Sequence, residues 1–263
     1  MTSARALSLL TLLAAAPLTA QSIRYTPGEF TYGVRTVVKQ TQEMGGQQQA
    51  STITADQKLT VLLIARGADS LRFRNTLVSD TISADLPIKL PDVGKLQGTV
   101  IEGFMTAWGR VAHFTHRSPG GDAAAASEQA ENMSHFFIAL APQTESGYSH
   151  TDTTTNRRAV EGGEIAERTI TMTVVDGDTV VGGVKAWRIR RRTDVRMSGT
   201  MVQSGQDLPV TSEGTGTGTF LLSVNGVYLG SRSVTTSVTR IQLPDGSTVT
   251  QTQDATSVTA LVK

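Results

Sequence analysis

The 263-residue chain carries 24 basic and 23 acidic residues, no cysteine, and 5% aromatic residues. The near-neutral balance excludes a dedicated nucleic-acid binder, which carries a basic excess, and so few aromatic rings leave little for stacking on bases or sugars. Without cysteine there is neither disulfide bracing nor a thiol for a lipid anchor, so stability has to come from core and sheet.

Residues 1–20 read as an export signal, with Arg5 as the positive region, Ala6 to Ala16 as a short apolar run and Pro17 to Ala20 as a small-residue cleavage site. The apolar run is too short to span a bilayer. Cleavage near Ala20 predicts a released periplasmic or secreted protein, neither lipid-anchored nor membrane-spanning. Residues 21–263 then form a single β-rich domain, with β halves at 21–117 and 147–263 flanking a helical segment at 118–146.

Phe30 to Gln40 reads as a strand and Met44 to Ala50 as a loose hairpin tip. Leu59, Val61, Leu63 and Ala65 open a strand that turns at Arg66 to Asp69 and returns through Leu71, Phe73 and Leu77. Folding the pair about Ala68 predicts Leu63 beside Phe73 and Leu59 beside Leu77. Pro87 and Pro91 predict a loop, and Thr99 to Ala107 with Arg110 to His116 predict a hairpin around Trp108-Gly109. Asp122 can cap a helix running to about Ala141, stopped by Pro142, with Met133, Phe136, Phe137 and Leu140 as its apolar stripe. A polar loop follows from Gln143 to Gly163.

From Ile165 onwards the sequence predicts long antiparallel strands, with turns at Asp176-Gly177-Asp178, Ser204-Gly205-Gln206, Asn225-Gly226 and Pro244-Asp245-Gly246. Alternation puts Trp187, Ile189, Arg191, Thr193, Val195 and Met197 on one face and Arg188, Arg190, Arg192, Asp194 and Arg196 on the other. Folding through Ser204-Gly205 sets Trp187 against Leu222 and Ile189 against Phe220. It also sets Arg191, Thr193 and Val195 against Gly218, Gly216 and Gly214. Such a face is apolar at one end and bare in the middle, which marks a close-packed neighbour or a hollow. The fold class expected is all-β with one covering helix: a large twisted antiparallel meander curled into a half-open β-barrel.

A signal segment, a long meander and a mid-chain helical segment resemble the LolA/LppX type of bacterial periplasmic lipid carrier. The run Phe136-Phe137-Ile138-Ala139-Leu140-Ala141-Pro142, followed by Gly147-Tyr148-Ser149-His150-Thr151, is also similar to an element of uncharacterised exported bacterial proteins, with His150 where a Trp is expected. The resemblance implies a half-barrel whose helices cover an apolar cavity, and it brings no catalytic residues.

His113, His116, His135 and His150 are the residues that could converge on a metal. On a strand His113 and His116 point to opposite faces, so neither metal nor other cofactor is expected. Gly214-Thr215-Gly216-Thr217-Gly218 lacks the Lys-Ser/Thr and helix of a phosphate loop. No Gly-x-Ser-x-Gly elbow or distinct carboxylate pair is present either, so no catalytic residue is assigned. The function expected is non-catalytic binding of an apolar or amphipathic, lipid-like ligand between sheet and helix. Its binding residues would be Trp187, Ile189, Arg191, Phe220 and Leu222, with Met133, Phe137 and Leu140 as cover. Arg191, paired if buried with a backbone carbonyl or with Glu128 or Glu131, could instead anchor an anionic ligand group. The alternatives are a structural or surface-interaction module of the cell envelope using the arginine ladder, and a metal-dependent hydrolase using the histidines.

Overall fold

A computed structural model describes residues 23–86, 93–120, 127, 129–130, 133, 136–142, 144–160, 163–203 and 206–262. The expected export signal, the Pro87 and Pro91 loop, Asp122, Glu128, Glu131, His135 and the Ser204-Gly205 turn lie outside these residues. Eleven strands follow one another: β1 (Gly28–Met44), β2 (Gln47–Ala65), β3 (Ser70–Ala84), β4 (Val100–Thr106), β5 (Val111–Arg117) and β6 (Ser149–Val160) come first. Then come β7 (Gly163–Val181), β8 (Val184–Gln203), β9 (Gln206–Ser223), β10 (Tyr228–Gln242) and β11 (Thr248–Val262). All join one antiparallel sheet in the order β5-β4-β3-β2-β1-β11-β10-β9-β8-β7-β6.

The two expected halves are therefore one sheet, fused where β1 pairs with β11 from Thr31↔Val262 to Glu43↔Thr250. Its edges, β5 and β6, are consecutive in sequence, and the sheet is not closed. The segment between them crosses from one edge to the other.

The expected registers hold where alternation and turns agree. Leu63 pairs with Phe73 and Leu59 with Leu77; Trp187 pairs with Leu222, Ile189 with Phe220, and Arg191, Thr193 and Val195 with Gly218, Gly216 and Gly214. Asp176-Gly177-Asp178 is not a turn. β7 runs through it with a register shift at Gly177, and the hairpin turns at Gly182 and Gly183, both with positive φ (55° and 81°). The two aspartates instead reach across to basic groups on β8: Asp176 to Arg190, and Asp178 to Lys185 at 2.7 Å. Nor is 143–163 a polar loop throughout, because β6 occupies 149–160 and pairs with β7 along its length. Its residues 149–157 are exposed, so an edge strand wetted on both sides left no apolar alternation to read.

Among the described residues the covering helix does not run on to Ala141. Ser127, Gln129, Ala130 and Met133 have helical backbone, but the chain turns at Phe136 and is irregular from Ile138 to Ala141. Its amide donors are taken by distant partners: Ile138 N–H by the Tyr25 hydroxyl at 3.0 Å and Leu140 N–H by the Trp108 carbonyl at 2.8 Å. Asn75, wholly buried on β3, donates its side-chain amide to the Met133 carbonyl at 3.2 Å. Such bonds to the sheet and to the leading segment replace the i→i−4 bonds of a helix.

This segment and the leading Ile23 and Tyr25 fill the inner face at one end of the sheet. Phe137 meets Tyr25, Phe73 and Phe136 with ring centroids 5.4–5.6 Å apart, and Phe136 meets Tyr32 at 4.9 Å and Tyr228 at 5.1 Å. Around them lie Val61, Leu63, Leu77, Ile101, Met105, Val175, Ile189 and Leu222, all buried. Each such aliphatic side chain contributes about 1.5–3 kcal/mol by burial. Burial also raises the phenol pKa values of Tyr25 and Tyr32, and pushes that of Tyr228 up to about 12.

Candidate functional site

The inner face continues beyond this core as a wall of small and polar residues. The last apolar row runs Val175, Ile189, Phe220, and the next runs Thr173, Arg191, Gly218, Ser233, Ser257, Thr36. Above it come Thr171, Thr193, Gly216 and Thr235, then Thr169, Val195, Gly214 and Ser237. Most of these residues are half-buried, unlike the core rows below.

Among the described residues the glycine column has the surroundings of a hollow rather than of a close-packed neighbour. The atoms nearest to a Cβ built at Gly214, Gly216 or Gly218 all belong to the sheet itself: Ser237 and Thr236, Thr235, Thr193 and Val234, and Phe220 and Ser233. No second layer of described residues presses on these positions at closest range, so the column widens the space that they leave over the wall. At Gly218 the Phe220 ring, 2.8 Å from the would-be Cβ, lies across the vacated place. The ring thus extends the apolar floor up to Arg191.

Arg191 is the charged group on this row. Its guanidinium is half-buried, and burial lowers its pKa from the ordinary arginine value; arginine keeps its charge in proteins. Among the described residues it has neither ion pair nor hydrogen bond. A buried charge normally gains a partner, because desolvation is otherwise uncompensated. The arrangement therefore offers a cation beside an apolar floor, with hydroxyl groups from Thr173, Ser233, Ser257 and Thr36 along the same row.

The structure brings the other residues expected at the site together against this floor. Ile189, Leu222, Met133, Phe137 and Leu140 pack on one another within the core, and Trp187 and Phe220 sit half-buried at its rim. Arg191 stands one row above. The histidines are not brought together: His113 and His116 lie on β5 and His150 on β6, where its ring stacks on Tyr148 at 6.2 Å. Among the described residues no group of three potential metal ligands exists.

One inner-face acid escaped sequence reasoning. Counting alternation from Leu77 puts Asp80 outside, but Val78 is an extra residue at a bulge, pairing passing from Leu59↔Leu77 to Lys58↔Ser79, and the parity flips. Asp80 is 5% exposed; the Gln57 amide donates to one carboxylate oxygen at 3.0 Å, and the other has no hydrogen-bond partner among the described residues. Burial raises its pKa, against the lowering effect of the Gln57 bond.

No family model and no curated protein matches the chain. Among solved structures it is similar to Neisserial surface protein A at 9% identity, TM-score 0.21, covering 89% of this chain and 99% of that one. It is also similar to Pseudomonas aeruginosa OccK8 (OprE) at 7% identity, TM-score 0.28, with 89% and 98% covered. A third similarity is to a DUF1329 family protein from Desulfovibrio piger at 10% identity, TM-score 0.19, with 87% and 84% covered. Likeness at this level carries no argument about role. No helix among the described residues is long and apolar enough to cross a membrane.

Proposed function

We propose that the chain is an exported, non-catalytic binding protein that receives an amphipathic anion on the inner face of its open sheet. The carrying observation is Arg191, a half-buried guanidinium with no partner among the described residues, set between the Ile189 and Phe220 row and the bare glycine column. In this reading the anionic head group pairs with Arg191, and the apolar tail lies along Phe220 and Trp187 at the rim of the core. Met133, Phe137 and Leu140 hold the floor from beneath rather than line the open part.

The outer face supports a sheet that does not face lipid hydrocarbon. Mid-strand positions there carry Arg35, Lys39, Asp56 and Lys58 on β1 and β2, and Arg168, Arg192, Asp194, Arg196 and Glu213 on β7 to β9. A membrane-spanning barrel needs an outward apolar band about 25 Å tall, and these charges interrupt it. The test is solvent extraction of the protein isolated from its own host, followed by mass spectrometry. A co-purifying anionic amphiphile, lost in Arg191→Ala, is expected; an extract indistinguishable from that of the variant contradicts the proposal.

A further inference from the structure

The arginine ladder of β8 points outwards, and most of it is engaged. Arg190 is held by both oxygens of Asp176, Arg192 lies 3.4 Å from Asp194, and Arg188 donates to Thr179. Arg196 is different. It stands directly opposite Arg168 of β7, a like-charge cross-strand pair, and such pairs repel. Both side chains are exposed, and neither has an ion pair or hydrogen bond among the described residues. Glu213 is opposite Arg196 on the other side, yet it makes no ion pair within 4.0 Å there.

The pair borders a groove. One stretch of about 570 Å³ and an adjoining one of about 440 Å³ share Arg168, Arg196 and Glu213 in their walls. Arg240 of β10 lines the second stretch, also unpaired. Its other carboxylate, Glu167, takes a hydrogen bond from Thr169 and belongs to the inner face by alternation. Asp194, which lines the first stretch, is already committed to Arg192. Among the described residues the groove therefore presents three free guanidinium groups against one free carboxylate, that of Glu213.

We propose that the Arg168–Arg196 pair, with Arg240 beside it, is an oxyanion site for a phosphoryl group. Guanidinium forks bind phosphate oxygens in parallel pairs of charge-assisted hydrogen bonds. A dianion seated between two facing arginines turns their repulsion into attraction to a shared partner, and an open groove admits it without rearrangement of the sheet. The same phosphoryl chemistry is offered by free phosphate and by the head groups of anionic phospholipids. This site is on the opposite face of the sheet from Arg191 and does not depend on what binds there.

Two arms separate the sources. In the first, isothermal titration with inorganic phosphate is run on wild type, on the Arg168→Gln, Arg196→Gln double variant, and on Arg232→Gln, an exposed β10 arginine outside the groove, as a control. In the second, the same proteins are co-sedimented with vesicles of phosphatidylglycerol or of phosphatidylcholine. A phospholipid source predicts retention by phosphatidylglycerol only and weak phosphate binding; a free-phosphate source predicts saturable phosphate binding without vesicle retention. In either case the double variant loses at least tenfold in affinity while Arg232→Gln stays within about twofold, and circular dichroism verifies that each variant is folded. Binding in neither arm, or binding unchanged in the folded double variant, overturns the proposal.

Discussion

Replacing Phe137 by alanine tests whether the irregular segment is the core of this fold rather than a loose cover. The ring is 6% exposed and touches three other rings, those of Tyr25, Phe73 and Phe136, edge to face. Three such contacts, at about 0.5–1.5 kcal/mol each beyond area burial, together with the cavity left behind, put Phe137→Ala in the range of about 3–5 kcal/mol. That is a large share of the roughly 5–15 kcal/mol that holds a domain together. Urea unfolding followed by circular dichroism reads it as a shift of midpoint at unchanged slope. A double-mutant cycle with Phe136→Ala isolates the coupling between the two rings, expected at about 0.5–1.5 kcal/mol. A loss below about 1 kcal/mol, or no coupling, would refute the packing argument and leave the inner face at that end uncovered.

Asp80→Asn is expected to stabilise the protein at pH 7 and to flatten its stability profile. The folded-state pKa is raised by burial, so the acid favours folding while protonated; that contribution is present below the unfolded pKa and is lost as pH rises through the folded value. Chemical denaturation from pH 4 to 8 checks it, and a variant no more stable than wild type at pH 7 counts against the burial argument. Arg191→Met is expected to leave the ligand-free protein as stable or up to about 1 kcal/mol more stable, since a half-buried charge with no partner among the described residues is exchanged for an apolar side chain of similar length; thermal melting of delipidated protein reads the sign. Glu102→Gln is expected to cost under about 1 kcal/mol, because its bonds to Arg72 and Arg74 are at the surface. Those same bonds depress the Glu102 pKa, so what they contribute is present at neutral pH and fades as pH falls through the folded value; a pH-resolved comparison of the two proteins follows it.

What the sequence made legible is local pairing between alternating strands with clear turns. Leu59 to Leu63 against Phe73 and Leu77, and Trp187 to Val195 against Leu222 to Gly214, follow from parity and turn chemistry alone. Three features were hidden for separate physical reasons. The apolar spacing of Met133, Phe136, Phe137 and Leu140 matches a helix, but the partners that unwind its end, Tyr25 and Trp108, are remote in sequence. The β6 edge, rich in threonine and exposed on both faces, has no apolar alternation. Asp80 changes faces at a bulge that nothing in its neighbours announces. At the site, parity alone brought Arg191 to the inner face, whereas its lack of a partner among the described residues depends on which acids fold near it. The Arg168–Arg196 pair required the β7–β8 register, obscured by the apparent turn at Gly177.

The most direct measurement is thermal unfolding of delipidated wild type and of Arg191→Ala with a straight-chain carboxylate such as dodecanoate, and with dodecanol as the uncharged control. At a hundredfold excess over its dissociation constant a bound ligand adds about 2.7 kcal/mol, which for a domain of this size raises Tm by about 5–10 °C. That rise is expected for wild type with dodecanoate, with little change for dodecanol or in the variant. Equal shifts in both proteins, or none in wild type, would contradict an anion held by Arg191.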